Sequence, residues 1–552
     1  MSSEWTFADV WETVADAVPD ALAQVHGPRS SVWAEFDRRA DGIASALIGA
    51  GLNRQDKVAL YLLNVPEYLE AAFAALKAGL VPVNTNYRYV RDELLYIWQN
   101  ADAAAVVFQG RFDERVDELR SRCPAVRLWL RVDDGCGPCP PWAVPYEQAA
   151  SSANGRMRAP WGRSGDDQIL IYTGGTTGLP KGVMWRQHDL YLASNVTRDP
   201  LVPDFDAVRA RVAASTSGPV GLPAAPLMHG TAFVFAATIL NRAGTIATVP
   251  EPRFDAVRLL DAIDGARVTD LCIVGDAFCL PIVEAIEQHP GRWDLSRLKV
   301  VSSSGMAWTA SVKERLLAHA PGALLIDFLN SSEASGLGRS LASKGRVEKT
   351  GTFKLGDKAF VIDANGQTVV PGSGVVGRLA VRGHVPLGYY KDPAKSAETF
   401  PVIGGVRCSV PGDFATVDAG GSIVLLGRGS VSINTGGEKV FPDEVEAAIK
   451  SFPGVRDTLV VGIPDTRLGQ IVAAAVETAL PEPLKIEALQ AHVRGQLAGY
   501  KVPRVVMAVE SIERGPNGKA DYVRTRERVI AWQAEKRATE PADAARNEMR
   551  SR

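Results

Sequence analysis

The sequence predicts an α/β protein with a large domain built on mostly parallel sheets and a smaller mixed domain at the carboxyl end. Three observations support this prediction. The chain has 552 residues, apolar strands alternate with helices over its first part, and short strands with glycine-rich turns follow from about residue 366. Because single hydrophobic cores stop growing at about 300 residues, the chain needs at least two domains.

The composition is that of an ordinary globular protein, with 46% hydrophobic and 22% charged residues. Lys and Arg total 61 against 63 Asp and Glu, a net charge of -2, so no overall field attracts nucleic acid and we expect no nucleic-acid partner. No apolar run approaches the roughly 18 residues that span a bilayer, and the start, MSSEWTFADVWETVADAV, lacks the pattern of a signal peptide. We therefore expect a cytoplasmic protein without an integral membrane segment, and we expect it to form a homodimer.

The six cysteines give no disulfide framework and are ordinary usage for a reducing compartment. Cys136 and Cys139 form a CGPC sequence, which in a thioredoxin-like setting is a redox pair. Here the surrounding segment, DDGCGPCPPW, is rich in turn residues, and no second cysteine pair completes a zinc site. A surface loop is the favoured interpretation.

Helix and strand signals alternate along the first part of the chain. Apolar residues at helical spacing predict helices over 36–47, 67–77 and 93–99, and apolar runs predict strands over 58–63, 80–83 and 103–108. Strand signals return at 271–274, 299–301 and 324–327. Strands separated by helices of about ten residues predict a mostly parallel sheet with helices on its faces.

The pattern changes toward the carboxyl end. Short strands are predicted over 377–382 and 421–426, followed by a helix over 443–450, strands over 458–462 and 471–477, and a helix over 486–497. We predict a large domain over 1–428 and a small domain over 429–532, a natural domain size. Residues 533–552 are charged and lack an apolar stripe, so we expect a solvated, frayed tail.

The sharpest local feature is YTGGTTGLPKG, from Tyr172 to Gly182, directly after the apolar run 168–171. Its glycines let backbone N–H groups converge on an anion, and its threonine hydroxyls and Lys181 add donors and positive charge. It is neither GxGxxG nor a Walker A loop, because Pro180 and Gly182 flank the lysine. A polyphosphate-binding loop is therefore favoured over a flexible Gly/Thr hairpin.

This segment resembles the phosphate loop of the acyl-activating adenylate-forming enzymes, which include acyl-CoA synthetases, luciferases and peptide-synthetase adenylation domains. Thr173 to Gly182 fit the loop pattern throughout. Further matching segments follow in the family's order and approximate spacing: SSGM at 303–306, NSSE at 330–333, PGD with Asp413, GRGSVSINTGGEKVFPDEVE from Gly427, YKVPR from Tyr500, and PNGK ending at Lys519. Taken alone, each such residue has an ordinary structural explanation, and it is their order that favours the family.

The resemblance implies the fold of that family. It consists of a large amino-terminal domain, with mixed, mostly parallel sheets layered with helices and a distorted β-barrel, and a small mobile carboxyl-terminal α+β domain. It also implies ATP, Mg²⁺ and coenzyme A as cofactor and co-substrates.

The resemblance also implies roles for individual residues. The implied catalytic residues are Lys519, Thr177, Glu333 and His229. Glu333 holds Mg²⁺ and Lys519 bridges the substrate carboxylate and the α-phosphate. The implied nucleotide and CoA contacts are Thr173, Gly174, Gly175, Thr176, Thr177 and Lys181 for the phosphates, Ser304, Gly305 and Met306 for adenine, Asn330, Ser331 and Ser332 for the nucleotide, with Ser332 at the α-phosphate, Asp413 and Arg428 for the ribose, and Gly436, Gly437 and Lys439 for CoA.

The chemistry implied by the resemblance joins two anions. A carboxylate attacks the α-phosphate of ATP, pyrophosphate leaves, and a thiol then displaces AMP from the acyl-adenylate. Catalysis of such a step depends on positioning and charge neutralisation, and it needs no protein nucleophile.

Several positions concern the acyl pocket or depart from the family pattern. His229, followed by the apolar run 233–239, is expected at the carboxylate end of a hydrophobic tunnel, and 273–279 is either another pocket wall or a plain core strand and turn. Leu329 and Asn330 replace the usual Tyr-Gly, which alters adenine stacking. Ser430 takes the place of an acidic hinge residue, so the domain rotation is not guaranteed.

Stretches outside the shared core narrow the resemblance to bacterial acyl-CoA synthetases of the actinobacterial type that act on steroid side chains and fatty acids. These stretches are TGGTTGLPKGVMWRQHDLY, GYYKDPAKSAETF and LGRGSVSINTGGEKVFPDEVE. Apolar residues, namely Trp185, Phe233, Phe235 and Ala277, favour a lipophilic carboxylic acid as the small-molecule substrate. A steroid side chain, a medium or long fatty acid and an aromatic acid remain open, as do two alternative functions: a fatty acyl-AMP ligase that loads a carrier protein, and a noncatalytic binding relative.

Overall fold

The computed structural model describes residues 4–173, 179–195, 204–214, 218–251, 253–435, 438–465, 468–479, 483–514 and 520–539. These residues form two compact units. The first comprises 1–349, 353–368 and 379–411, and the second comprises 350–352, 369–378 and 412–552. No helix in the described ranges combines the length and apolar character needed to cross a membrane.

Sixteen α-helices lie in the described part of the chain: α1 Phe7–Ala17, α2 Trp33–Gly49, α3 Pro66–Lys77, α4 Arg91–Asn100, α5 Asp113–Arg120, α6 Tyr146–Ala150, α7 Gln187–Asn195, α8 Phe205–Ala214, α9 Gly230–Leu240, α10 Ala256–Gly265, α11 Gly275–Gln288, α12 Ala310–His319, α13 Pro393–Thr399, α14 Pro442–Lys450, α15 Ile486–Arg494 and α16 Tyr522–Thr539. Short 3-10 helices cover Gly110–Phe112, Gly429–Val431 and Gly499–Lys501.

The strands of the first unit begin with β1 Leu22–His26, β2 Arg29–Val32, β3 Lys57–Tyr61, β4 Val81–Asn84, β5 Ala103–Gln109, β6 Leu128–Val132, β7 Val144–Pro145, β8 Gln168–Thr173, β9 Lys181–Arg186, β10 Val220–Pro223, β11 Thr245–Thr248, β12 Asp270–Ile273, β13 Val300–Ser304, β14 Leu324–Ser331 and β15 Ala334–Ala342. The later strands are β16 Thr352–Leu355, β17 Ala359–Ile362, β18 Gly377–Arg382, β19 Gly388–Tyr389, β20 Val402–Ile403, β21 Val406–Ser409, β22 Asp413–Val417, β23 Ser422–Arg428, β24 Ile433–Thr435, β25 Glu438–Val440, β26 Val455–Asp465, β27 Gly469–Thr478 and β28 Val505–Val509.

Two mostly parallel sheets organise the first unit. One contains the consecutive strands β2-β1-β11-β10-β12-β13-β14-β15 and is parallel from β1 to β14. The other runs β19-β9-β8-β4-β3-β5-β6-β7 and is parallel from β8 to β7. Helices from the alternating connections cover these sheets, which confirms the predicted α/β class.

Helix α3 shows how burial fixes an element of this unit. Pro66 stands at its first position, where a missing N–H costs nothing, and every residue of the helix is buried. Lys77 at its end is fully buried, and its ammonium lies 3.3 Å from Glu12, 2.7 Å from Asp37 and 2.6 Å from Asp41. A buried ammonium needs such partners because leaving it unpaired is very costly.

The second unit contains a β22–β23 hairpin and a five-stranded sheet in the order β25-β24-β27-β26, with β28 paired to β27. Alternate residues of β26 belong to two different cores. Val460 packs with α14 and α15 on one face, whereas Leu459 and Val461 pack with Val529 of α16 on the other. The period of two along a strand explains this division.

Predicted and observed boundaries differ at the carboxyl end. The helix predicted over 486–497 ends at Arg494, where Gly495 caps it. The segment predicted as a tail from residue 533 begins as a helix, because α16 extends to Thr539. Its buried Val529 and partly buried Trp532 anchor the helix to the sheet, so the segment does not need an apolar stripe of its own. The domain limits at 428 and 532 stay a prediction.

Candidate active site

The predicted phosphate loop lies on a β-hairpin of the first unit. Strands β8 and β9 are antiparallel, and Thr173 pairs with Lys181, so the two ends of the glycine-rich segment are neighbours. The side chain of Tyr172 lies against Gly182, where a Cβ would come within 2.8 Å of the tyrosine ring. The residues on either side of the predicted loop are therefore held in two strands whose register is supported by buried side chains.

Lys181 has two described partners. Its ammonium lies 2.6 Å from Oδ2 of Asp392 and 5.5 Å from the centre of the Tyr389 ring. The hydrogen bond from Lys181 holds the pKa of the Asp392 carboxyl below its ordinary value. Both side chains keep about a third of their surface exposed, so the pair is open to competition by an anionic ligand.

Glu333 lies in the tight turn between β14 and β15. The hydroxyl of Tyr389 donates to its carboxylate at 2.9 Å, and the hydroxyl of Ser409 donates to its backbone carbonyl at 2.7 Å. The indole of Trp185, on β9, donates to the carbonyl of Ser332 at 2.9 Å. These bonds bring the Glu333 turn beside the phosphate hairpin.

The Glu333 carboxylate fits the predicted magnesium site in its chemistry. It is half-buried, and an ionised carboxylate is a hard oxygen ligand of the kind Mg²⁺ takes. No cluster of three or more His, Cys, Asp or Glu able to hold a metal occurs in the described ranges. Mg²⁺ is commonly bound through one or two carboxylates together with substrate phosphates, so a single carboxylate fits a nucleotide-borne ion.

The residues before Glu333 are held by the β14–β15 hairpin. Asn330 accepts a hydrogen bond from the backbone N–H of Gly336 at 2.8 Å. The hydroxyl of Ser331 is buried and has no hydrogen-bond partner among the described residues. Leu329 is half-buried and pairs with Gly338. The Asn330 side chain therefore stabilises the turn itself.

The predicted adenine turn follows the end of β13. Ser304 is buried, and Gly305 has a φ of +93°, which favours glycine. Gly275, at a φ of +51°, lies so close to Ala307 that a Cβ would overlap its carbonyl oxygen, and Met306 would stand 3.0 Å away. Two glycines thus allow the ends of neighbouring strands to meet in one turn.

His229 caps the amino end of α9, and its carbonyl accepts from the N–H of Phe233 at 3.0 Å. Next to it, a Cβ on Gly230 would lie 3.3 Å from Ile171 of β8 and 3.9 Å from the hydroxyl of Ser332. The start of α9 therefore lies close to both the phosphate-hairpin strand and the Glu333 turn. Phe233 and Phe235 are buried in the helix behind it.

The segment 273–279 proves to be the end of β12 followed by the first turn of α11. Phe278 and Cys279 are buried, while Ala277 is half-buried. Most of the segment is therefore buried, with a helix in place of the expected turn.

In the second unit, the two predicted ribose residues are register partners. Asp413 begins β22 and pairs with Arg428 at the end of β23. Asp413 is buried. Gly427, at a φ of +115°, faces the Asp443 carboxylate so closely that no Cβ fits between them.

Some predicted site residues lie outside the described residues, namely Gly174, Gly175, Thr176, Thr177, Gly436, Gly437 and Lys519. The side chains of Arg428, Ser430 and Lys439 likewise lie outside the described part. Their roles stay predictions.

The Cys136 and Cys139 segment has no regular secondary structure and both cysteines are free. A hydrogen bond with Asp134 raises the pKa of the Cys136 thiol, and burial raises the pKa of Cys139. Because the thiolate is the reactive form, raised pKa values oppose redox chemistry. The segment is a loop, as predicted, and the raised pKa values favour unreactive thiols.

Sequence reasoning missed Tyr389 and Asp392 as individual site residues. Both lie in GYYKDPAKSAETF, which the sequence pattern relates only to the subgroup. The tyrosines and the aspartate of this stretch are residue types that could pair with the site lysine, and they could have indicated its place in the site. It also missed Asn84, which binds the backbone of Tyr172 and Met228.

A lysine on the β8–β9 hairpin and a carboxylate in the adjoining β14–β15 turn form the arrangement that the sequence predicts for a nucleotide-binding enzyme. Residues 11–390 match the family model described as AMP-binding enzyme, and residues 444–519 match the AMP-binding enzyme C-terminal domain. The chain belongs to the AMP-binding enzyme family, as its sequence predicts.

Two relatives have similar sequences over nearly their whole length. The "Medium/long-chain-fatty-acid--CoA/3-oxocholest-4-en-26-oate--CoA ligase" of Mycolicibacterium smegmatis is 40% identical over 531 residues, covering 93% of this chain and 95% of the relative. The "3-oxocholest-4-en-26-oate--CoA ligase" of Rhodococcus rhodochrous is 38% identical, covering 98% and 97%.

Solved structures share the fold. An anthranilate CoA ligase, AuaEII, in complex with anthranoyl-AMP gives a TM-score of 0.82 at 21% identity over 96% of this chain and 98% of that one. A benzoate CoA ligase from Burkholderia xenovorans LB400 gives 0.79 at 22% identity over 95% and 100%. These likenesses confirm the predicted fold class.

Proposed function

We propose that the protein is an ATP-dependent acyl-CoA synthetase, an acid–thiol ligase that forms AMP. The observation that carries this proposal is that the charged side chains of Lys181 and Glu333 lie near the start of the apolar helix α9. Lys181 and Glu333 are linked by Tyr389, and Gly230 at the start of α9 lies so close to β8 and Ser332 that a Cβ there would be within 4 Å of both. The relatives named as CoA ligases support the same reaction class.

In the first step, a carboxylate oxygen of the acid bonds to the α-phosphorus of ATP, and the bond from that phosphorus to the bridging oxygen breaks, releasing pyrophosphate. Because all reacting groups are anionic, the protein's task is to position them and neutralise charge. Lys181 would supply positive charge at the phosphates, and Ser332 a hydroxyl near the α-phosphate. Glu333 would hold Mg²⁺, an ion that screens phosphate charge when bound.

In the second step, the thiol of coenzyme A attacks the acyl carbonyl and AMP leaves. We assign Gly436, Gly437 and Lys439 to the CoA arm and Lys519 to the first step. These assignments rest on the sequence pattern alone. A homodimer and a cytoplasmic location remain part of the proposal, and light scattering tests the first.

The acid is proposed to be lipophilic. Helix α9, GTAFVFAATIL, has no charged residue, and its Val234 is half-buried whereas the neighbouring Phe233 and Phe235 are buried. The relatives are named for both fatty acids and 3-oxocholest-4-en-26-oate. We therefore include both a fatty acid and a steroid side-chain acid as candidate substrates.

A panel of acids tests the proposal. The purified protein is incubated with ATP, Mg²⁺, CoA and one acid at a time: saturated fatty acids of several lengths, a steroid side-chain acid and benzoate. AMP and acyl-CoA should appear together for a lipophilic acid. AMP-linked acid without thioester would indicate the acyl-AMP ligase alternative, and no AMP with any acid would indicate a noncatalytic relative.

A further inference from the structure

Asn84, the last residue of β4, forms side-chain hydrogen bonds to the backbone of the phosphate hairpin and of the residue before His229. Its backbone belongs to the sheet, where β4 pairs with β8 through Val83 and Leu170. Beyond this pair, the side-chain amide of Asn84 accepts from the N–H of Tyr172 at 2.6 Å and donates to the carbonyl of Tyr172 at 2.9 Å. The Asn84 side chain thus satisfies the backbone N–H and carbonyl of Tyr172, which a neighbouring strand's backbone does for other residues of the sheet.

The side-chain amide of Asn84 also donates to the carbonyl of Met228 at 2.5 Å. Met228 is buried and directly precedes His229, which caps α9. Its sulfur also accepts from the N–H of Tyr87 at 3.3 Å. The donor and acceptor groups of the Asn84 amide are therefore both used, and they join the last residues of β8 to the entrance of α9.

Asn64, which follows the adjacent strand β3, also makes three side-chain hydrogen bonds to backbone groups, but only to the segment that precedes α9. Its carbonyl accepts from the N–H of Leu227 at 2.7 Å, and its amide donates to the carbonyls of Pro223 and Ala225 at 3.2 and 3.0 Å. All of these partners precede α9, and none of them lies on β8. The chain therefore contains a matched pair of asparagines, of which Asn84 ties the α9 entrance to β8 and Asn64 holds the α9 entrance alone.

We infer that Asn84 is a positioning residue for adenylation: its amide sets the distance between the end of β8, where the phosphate-binding segment begins at Thr173, and the acid-binding entrance of α9 at His229. The inference rests on the proposed function. A hydrogen-bonded amide with its donor and acceptor groups used fixes its partners, because any displacement leaves a half-buried polar group unpaired. Misplacement of reacting groups by about 1 Å can cost about 100-fold in rate.

The test compares Asn84→Ala with Asn64→Ala in the full chain, with Asn84→Asp as a nearly isosteric third variant. Steady-state kinetics give the KM for ATP, the KM for the acid and kcat, and titration with Mg·ATP alone gives nucleotide affinity. Asn84→Ala should lower kcat by about 10- to 100-fold and raise the KM for both ATP and acid. Asn64→Ala should raise the KM for the acid while ATP affinity stays within about threefold.

Asn84→Asp keeps the acceptor for Tyr172 but places negative charge against two carbonyls, so it should resemble Asn84→Ala. The inference would be overturned if the Asn84 and Asn64 variants changed ATP affinity equally. It would also be overturned if the loss of kcat only matched the loss of folded protein measured by thermal unfolding. If the wild-type protein activates no acid, the proposed function fails. The ATP titrations would still decide whether Asn84 organises the hairpin.

Discussion

At the residue scale, Tyr389 links the two charged groups assigned to the nucleotide. Its hydroxyl donates to Glu333 at 2.9 Å, and its ring lies under the Lys181 ammonium. Tyr389→Phe keeps the ring but removes the hydrogen bond to a charged group, worth about 1.5–3 kcal/mol. We expect kcat for adenylation to fall by about tenfold or more, with a higher Mg²⁺ requirement, measured as AMP formation against metal concentration.

Tyr390→Phe is the matched control. Its hydroxyl donates to Asp102 at 2.8 Å, on an exposed pair away from Glu333. A Mg²⁺ profile altered equally by both substitutions would contradict the role given to Tyr389.

Asp392 forms an ion pair with Lys181 and, in the proposed site, would compete for it with nucleotide phosphates. Asp392→Asn should therefore lower the KM for ATP by about two- to fivefold, since half-exposed ion pairs are worth roughly 0–1 kcal/mol. Asparagine still caps α13, where Asp392 now accepts from the N–H of Lys395. Initial rates at varied ATP measure the change, and a raised KM would show that Asp392 positions Lys181 instead.

At the element scale, the turn after β13 depends on close approach to α11. Gly275→Ala introduces a Cβ against the Ala307 carbonyl at a positive φ. We expect a loss of roughly 3 kcal/mol in unfolding free energy and weaker ATP binding. Gly291 also has a positive φ, but a Cβ there would meet no described atom within 4 Å, so Gly291→Ala should cost roughly 1 kcal/mol.

Denaturant unfolding of both glycine variants measures these losses. If the Gly275 and Gly291 variants lose the same stability and bind ATP equally well, the close packing at Ala307 has no bearing on the adenine turn.

Helix α14 carries a buried carboxyl whose ionisation opposes folding. Burial, followed by the nearby Asp443, raises the pKa of Glu446 to about 7, while Arg514 and Lys450 act in the opposite direction. Tyr522 also faces it. The unfolded carboxyl has its ordinary lower pKa, so between about pH 5 and 7 the folded state holds more protons, and stability falls as pH rises.

Glu446→Gln removes that dependence while keeping an acceptor for the Val460 N–H, now bonded at 2.9 Å. We expect the variant to be more stable than the wild type at pH 8 and no more stable at pH 5. Thermal unfolding at both values checks this. A larger stabilisation at pH 5 than at pH 8 would reverse the sign and refute the assignment.

At the scale of the whole molecule, the sequence predicts most of the hairpins and turns that consecutive residues form. The β8–β9 hairpin, the Gly305 turn and the β14–β15 turn each arise from consecutive residues, so their motifs suffice. The partners of these motifs come from distant positions. Asp392 is 211 residues from Lys181, and Asn84 is 88 from Tyr172. Strand order brings them together, and no local pattern encodes strand order.

The same reasoning explains the carboxyl-terminal difference. The composition of 533–539 resembles a frayed tail, but Val529 and Trp532 just before it pack on β26 and β27, and the helix continues outward from that anchor. Tertiary packing, rather than the segment's own pattern, decides its conformation.

The central claim is that the protein activates a lipophilic carboxylate as its adenylate before any thiol takes part. Acid-dependent exchange of labelled pyrophosphate into ATP, measured with Mg²⁺ and without CoA, tests it most directly. Exchange should appear with a fatty or steroid side-chain acid, be lost without acid, and fall sharply in Lys181→Ala. A protein that binds ATP yet exchanges no pyrophosphate with any acid of the panel would contradict the claim.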